Sequence, residues 1–234
     1  MRRTERAAQR LRAGAGLGAR LRRVAAPALI AGSGIALAAY PVVRPRAREV
    51  GLSGAEAFAG NAWLIAHCLG MVGFVLLAFG LRALADAEPT WWLGRPVREA
   101  ETRGWLAVAL LLPYYGAEAF ALNVAGRHAV AVGDVTALEA LVGFRFAPVE
   151  LVTFGMGLLA LAMVGGRLIL GAWASGTLGR TGGILAGLGL LTYLPQFFTP
   201  MPVRIAHGVV LGTGLCLLAW TMWTERAGAD MAAR

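Results

Sequence analysis

Of 234 residues, 58% are hydrophobic and 15% charged, with a mean hydropathy of +0.64; an ordinary soluble domain runs at roughly 45–50% apolar and about 25% charged. This composition excludes disorder, collagen-like repeats and a disulfide-stapled secreted scaffold, and it weighs against a soluble enzyme. The 22 basic residues are all arginine, and the formal net charge is +9.

In a soluble chain such an excess would point to nucleic acid. Here eight arginines (Arg2, Arg3, Arg6, Arg10, Arg12, Arg20, Arg22 and Arg23) form a basic leader at 1–23, ahead of the first apolar stretch. The partner this implies is an anionic lipid surface rather than nucleic acid. Behind the leader, Ala36-Leu37-Ala38 has the look of a signal-peptide cleavage site. The apolar run at 24–43 is nonetheless long enough to span a bilayer, so it reads as an uncleaved first helix.

Five more apolar segments follow, at 62–84, 105–124, 148–172, 182–198 and 203–223, and 224–234 is left as a tail. A soluble core could hide one such helix but not six in succession, so the chain predicts an all-α, six-helix transmembrane bundle. The fifth segment is the weakest, because Pro195 and the Thr199-Pro200 step end it early. Residues 135–146 are too short to span. Thr136 and Glu139 have capping-box spacing there, which predicts a short helix lying at the interface.

Arginine placement sets the orientation. With the N-terminus inside, sixteen arginines lie on the inner side and six (Arg44, Arg46, Arg48, Arg127, Arg145 and Arg204) on the outer side, which places both termini in the cytoplasm. Six of the seven tryptophans fall at inner helix ends, and Trp63 lies near the outer face. Gly183-x-x-x-Gly187 and Gly208-x-x-x-Gly212 predict close helix packing. The same holds for the face shared by Gly182, Ala186, Gly189 and Tyr193. Cys68 and Cys216 sit inside apolar runs, where buried thiols are expected rather than a disulfide.

Ionisable groups at membrane depth are costly and mark candidate sites. Four polar side chains lie roughly 6–9 Å below the outer ends of their segments: His67, Glu118, Tyr193 and His207. Tyr114 and Tyr115 sit a turn deeper, and Glu150 and Gln196 lie near the rim. The inner half holds little that is comparable, since Arg167 can snorkel to the headgroups. His67, Glu118 and His207, supported by Tyr115 and Tyr193, are therefore predicted to form a polar site in the outer half. A neighbouring histidine would hold Glu118 ionised or share its proton. Ile65-Ala66-His67 recurs as Ile205-Ala206-His207 at matched depth.

Three chemistries suit this set. His67, Glu118 and His207 are a candidate ligand set for a divalent metal such as zinc, although no H-E-x-x-H spacing is present. His67 and His207 are candidate axial ligands for haem b in a membrane electron carrier. A histidine and Glu118 are also candidates for proton or ion exchange, though no relay continues inward. Covalent catalysis is not expected: Ala174-Ser175-Gly176 lacks the preceding glycine of an intramembrane serine protease and sits at the opposite depth from His207. His128 reads as solvated. The leading expectation is thus a small-ligand, proton or metal-ion site in a bacterial plasma-membrane protein, and the alternative to any site is a structural or partner-binding subunit. Six short helices with little loop mass would also permit a homo-oligomer.

Trp63-Leu64-Ile65-Ala66-His67, the apolar run ending in Gly80-Leu81, and Gly116-Ala117-Glu118-Ala119-Phe120 on the next segment form a recurring pattern. In these residues the chain resembles small multi-pass bacterial membrane proteins of uncharacterised families. The resemblance implies that the histidine and glutamate belong to the family pattern, and it carries no activity with it.

Overall fold

Long apolar runs satisfy their backbone polar groups by closing hydrogen bonds within one segment, and so they become helices. The computed structural model describes residues 25–86, 94–173 and 175–232, and every regular element among them is helical. The helices are α1 (Ala25–Val43), α2 (Gly51–Ala59), α3 (Asn61–Asp86), α4 (Gly94–Gly116), α5 (Leu122–Val132), α6 (Thr136–Val142), α7 (Pro148–Ala172), α8 (Thr177–Leu191) and α9 (Met201–Ala232). Five helices are long and apolar enough to cross a membrane: α1, α3, the run Pro96–Val132, α7 and the Met201–Glu225 part of α9. The basic leader and the Trp91-Trp92 pair lie outside the described residues.

Several boundaries differ from the sequence expectation. The third apolar segment belongs to a helical run of 37 residues, about 55 Å at 1.5 Å per residue. That exceeds a hydrocarbon layer of roughly 30 Å, so the apolar window marked only its middle. Between α4 and α5 the run widens into a π turn at Ala117–Ala121, four residues beyond the in-helix Pro113. Proline removes one backbone donor and crowds the preceding turn, and π turns arise where the regular ladder is disturbed. The fifth segment forms a 15-residue helix, Thr177–Leu191, followed by a 3-10 turn at Pro195–Phe198. At about 22 Å this helix is shorter than the hydrocarbon layer.

The final helix does not stop at 223 but continues to Ala232. The loop between α1 and α3 contains α2, a helix not expected from the hydropathy pattern. No capping box forms at α6. Instead Asp134 Oδ1 accepts the Thr136 amide at 2.8 Å and the Thr136 hydroxyl at 2.7 Å. Just before this, α5 ends at Gly133, whose φ of 71° is a left-handed conformation that favours glycine.

The long helices close into a ring. Helix α1 meets α3 where Leu37 covers Gly73 and Ile30 covers Gly80, and the Ser33 hydroxyl donates to the Gly73 carbonyl at 2.8 Å. Contacts then pass from α3 to α4, α7, α8 and α9 in turn. The ring returns to α1 at Gly212, where a Cβ would lie 2.6 Å from the Gly34 carbonyl oxygen, so the two backbones cross almost in contact. On α8, Gly182 and Gly189 face α9 while Gly183 and Gly187 face α7; with Ala186 and Tyr193 they are buried, as their spacing predicts.

One end of the ring is filled with leucine. Leu81, Leu84, Leu168, Leu215 and Leu218 leave there a void of only about 10 Å³. Arg167 at that end is bonded to Glu99 at 2.8 Å rather than simply extended to solvent. The opposite end carries a cap. Helix α2 packs on α5 so closely that a Cβ at Gly126 would lie 2.8 Å from the Ala59 backbone nitrogen. Ala55, Phe58, Trp63, Leu122, Ala129 and Leu138 form a separate small core beneath α2, α5 and α6.

Candidate functional site

Glu118 lies in the π turn and is only 5% exposed. A carboxylate so buried needs a counter-charge, and the cap supplies one. Arg145, on the 3-10 turn Gly143–Phe146 that follows α6, donates from Nε to Glu118 Oε1 and from Nη2 to Oε2, both at 2.6 Å. Its remaining Nη1 donates to Glu49 Oε2 at 2.7 Å, and Arg44 Nη2 donates to Glu49 Oε1 at 2.7 Å. The result is a continuous row, Arg44–Glu49–Arg145–Glu118, joining the end of α1, the cap and the π turn. Doubly bonded guanidinium–carboxylate pairs fix geometry as well as charge.

Aromatic rings hold the row in place. The Trp63 indole N–H donates to the Glu118 backbone carbonyl at 2.6 Å, and the Arg44 guanidinium lies 4.9 Å from the centre of the Trp63 ring. Asn123 is buried and donates to the Phe58 carbonyl at 2.7 Å, tying α5 to the α2–α3 corner.

His67 is buried below the row. Its Nδ1 lies 2.9 Å from the Trp63 carbonyl oxygen; a carbonyl can only accept, so Nδ1 carries the proton. Nε2 then faces Glu118 Oε2 at 3.8 Å, too long for a hydrogen bond. The partner expected from sequence for Glu118 was a histidine, whereas the group that binds both of its oxygens is Arg145. His207 is placed elsewhere. Its Nε2 lies 2.9 Å from the Gly189 carbonyl oxygen and 3.1 Å from the Thr192 hydroxyl, against α8. Between the histidines run Tyr115 and Tyr193, with hydroxyls 3.4 Å apart, and the Tyr193 ring is 5.8 Å from that of His207.

Among the described residues no three His, Cys, Asp or Glu side chains converge as a metal site, so His67, Glu118 and His207 do not form one ligand set. Haem held between the two histidines does not fit either. His207 directs Nε2 at a backbone carbonyl, and tyrosine rings fill the space where the porphyrin would lie.

The row and His67 form the polar wall of a cavity of about 800 Å³. Tyr114, Tyr115 and Glu118 line it from the α4 side, and Arg204 from α9. The facing wall is apolar: Leu151 and Phe154 of α7, and Leu194, Phe197 and Phe198 before α9. Tyr193 and His207 border a separate void of about 10 Å³, which shares Tyr40, Arg44 and Arg204 with the large cavity. From sequence, Arg44 and Arg145 counted only toward orientation and Glu49 was not singled out, so none of the three was expected at the site. The available signal was the need of Glu118 for a cation on a side of the molecule carrying few of them.

Glu49 links this row to pH. Burial alone would raise its carboxyl, but Arg44 and Arg145 outweigh that and hold it below the ordinary 4.5. A lowered folded value means that the stabilisation is complete above about 4.5 and is lost as pH falls through the lowered value. The thermal midpoint in neutral detergent is expected to decline in acid below about pH 4.5, and to decline less for Glu49→Gln. Identical acid profiles for the two proteins would detach Glu49 from stability.

Comparison of the chain with protein-family models, curated proteins and solved structures finds no match.

Proposed function

We propose that this is a six-span protein of the bacterial plasma membrane whose capped end holds a non-covalent binding site for a small molecule, used in sensing or transport. The observation that carries this reading is the cavity of about 800 Å³ between a charged wall and an apolar wall. Ligand sites are concave, mostly apolar, and oriented by a few fixed polar groups, with volumes of roughly 300–1,000 Å³. The sixth span is α8, extended to membrane depth by the turn through Pro195–Phe198. The excess of arginine counted in the sequence on the side of the N-terminus supports both termini lying in the cytoplasm, so the cavity opens outward and the leader meets anionic lipid. Conduction through the ring is disfavoured by the leucine packing below the cavity. The likeness of residues 63–67 and 116–120 to uncharacterised multi-pass proteins is in keeping with this reading.

Gly155 offers a test that leaves every polar group in place. It lines the cavity, and a Cβ there meets nothing within 4 Å. Gly155→Phe should place a ring in the cavity and obstruct it, and because glycine is a poor helix former it should not lower stability. Native mass spectrometry of protein extracted directly from its membrane is expected to detect one adduct of discrete mass per chain, absent from Gly155→Phe. No adduct on the parent, or the same adduct on both, would remove the binding site.

A further inference from the structure

We propose that the cavity takes a single-chain anionic amphiphile, its carboxylate or phosphate held at Arg44 and Arg204 and its tail along α7 and the turn before α9. This rests on the binding-site reading above and names its ligand class.

The charges lining the cavity do not balance. Arg44, Arg145 and Arg204 face only Glu49 and Glu118. Arg145 is spent, since its Nε, Nη1 and Nη2 all bond to carboxylate oxygens. Arg44 is not: its side chain is 10% exposed, only Nη2 reaches Glu49, and the buried Nε has no hydrogen-bond partner. That Nε is shielded from the cavity, but Nη1 makes no hydrogen bond among the described residues and is not buried, so an arriving acceptor reaches Arg44 there. Arg204 donates from Nε to the Thr199 carbonyl at 2.9 Å and from Nη2 to that of Phe197. It has no acidic partner among the described residues. Its backbone bonds orient the guanidinium without neutralising it. Two guanidiniums with charge to spare therefore border one space, where an oxyanion satisfies both.

The rest of the cavity indicates a tail. Leu151, Phe154, Phe197 and Phe198 offer an anion nothing but apolar surface. At the margin Phe146, Leu151 and Phe198 are 78%, 51% and 84% exposed, so this apolar track continues outward from the cavity. A free inorganic anion would leave that wall unused, and a cationic amphiphile would place its charge against Arg204.

The test uses the full chain in phosphatidylcholine nanodiscs with radiolabelled dodecyl phosphate as probe. One saturable site per chain is expected, displaced by laurate but not by inorganic phosphate, dodecanol or dodecyltrimethylammonium. Arg204→Gln should weaken binding about tenfold or more, Arg204→Lys less, and Gly155→Phe should weaken it by obstructing the tail. Arg44→Gln should act in the same direction, with the thermal midpoint of each variant checked for folding. Displacement by inorganic phosphate as effective as by laurate would leave an anion site without a tail, and displacement by dodecanol or the cation would leave a greasy site without charge selection. Either result overturns the proposal, as does unchanged affinity in a folded Arg204→Gln. Absence of saturable binding alongside a native adduct sensitive to Gly155→Phe would sink the ligand class while the binding site stands; absence of both would sink the two together.

Discussion

Arg145→Ala is expected to destabilise the protein by about 3–5 kcal/mol, because it strands two carboxylates in the cap at once. Glu118 would lose the donors to both of its oxygens, and Glu49 would keep only Arg44. For a chain of this size the loss corresponds to a fall of roughly 6–20 °C in thermal midpoint. Arg145→Lys should fall in between, since an ammonium cannot reproduce the paired bonds to Glu118. Glu118→Gln should cost less than Arg145→Ala, because Arg145 keeps Glu49. Most tellingly, Arg145→Met combined with Glu118→Gln should recover much of the loss, since the penalty arises from an uncompensated charge rather than from a missing bond. A double variant no more stable than the sum of its parts would contradict this, as would an Arg145→Ala protein within about 1 kcal/mol of the parent.

The helical architecture was legible because hydropathy over twenty residues is a strong, local signal. It gave the five long helices and the glycine faces of α8 and α9. It failed at ends, where membrane depth and helix length part company. The π-turn run continues well past its apolar middle, and α8 begins five residues earlier and ends seven earlier than the apolar window. The site was half legible for a related reason. His67, Glu118, Tyr115 and Tyr193 stood out as polar residues in apolar surroundings; the first three line one cavity, and Tyr193 lies beside it with its hydroxyl 3.4 Å from that of Tyr115. Arg44 and Glu49 sit in a loop and Arg145 on a short 3-10 turn, where charge is ordinary, so nothing local marked them. Only the fold reveals that Arg145 returns across 27 residues to Glu118. His207 illustrates the opposite error: equal depth does not fix azimuth, and its ring turns toward α8.

Trp63 is where the ring and the cap depend on one side chain. It is fully buried at the corner of α2, α3 and the π turn. Its ring meets Phe58 edge-on at 4.6 Å and His67 at 4.3 Å, while its N–H holds the Glu118 carbonyl. Trp63→Ala should cost about 3–5 kcal/mol, the range for emptying a buried aromatic site. Trp63→Phe keeps most of the volume and should cost about 1–3 kcal/mol, for the carbonyl left without its donor. The damage should be local, because the cap has its own small core and the leucine-filled end does not touch it. Limited trypsin digestion reads this directly. In Trp63→Ala, cleavage should accelerate at the exposed Arg46, Arg48 and Arg127, while Arg82, bonded to Asp86 and Glu101 at the far end, keeps its parental rate. Acceleration at Arg82 to the same degree would mean that Trp63 supports the whole bundle and not the cap alone.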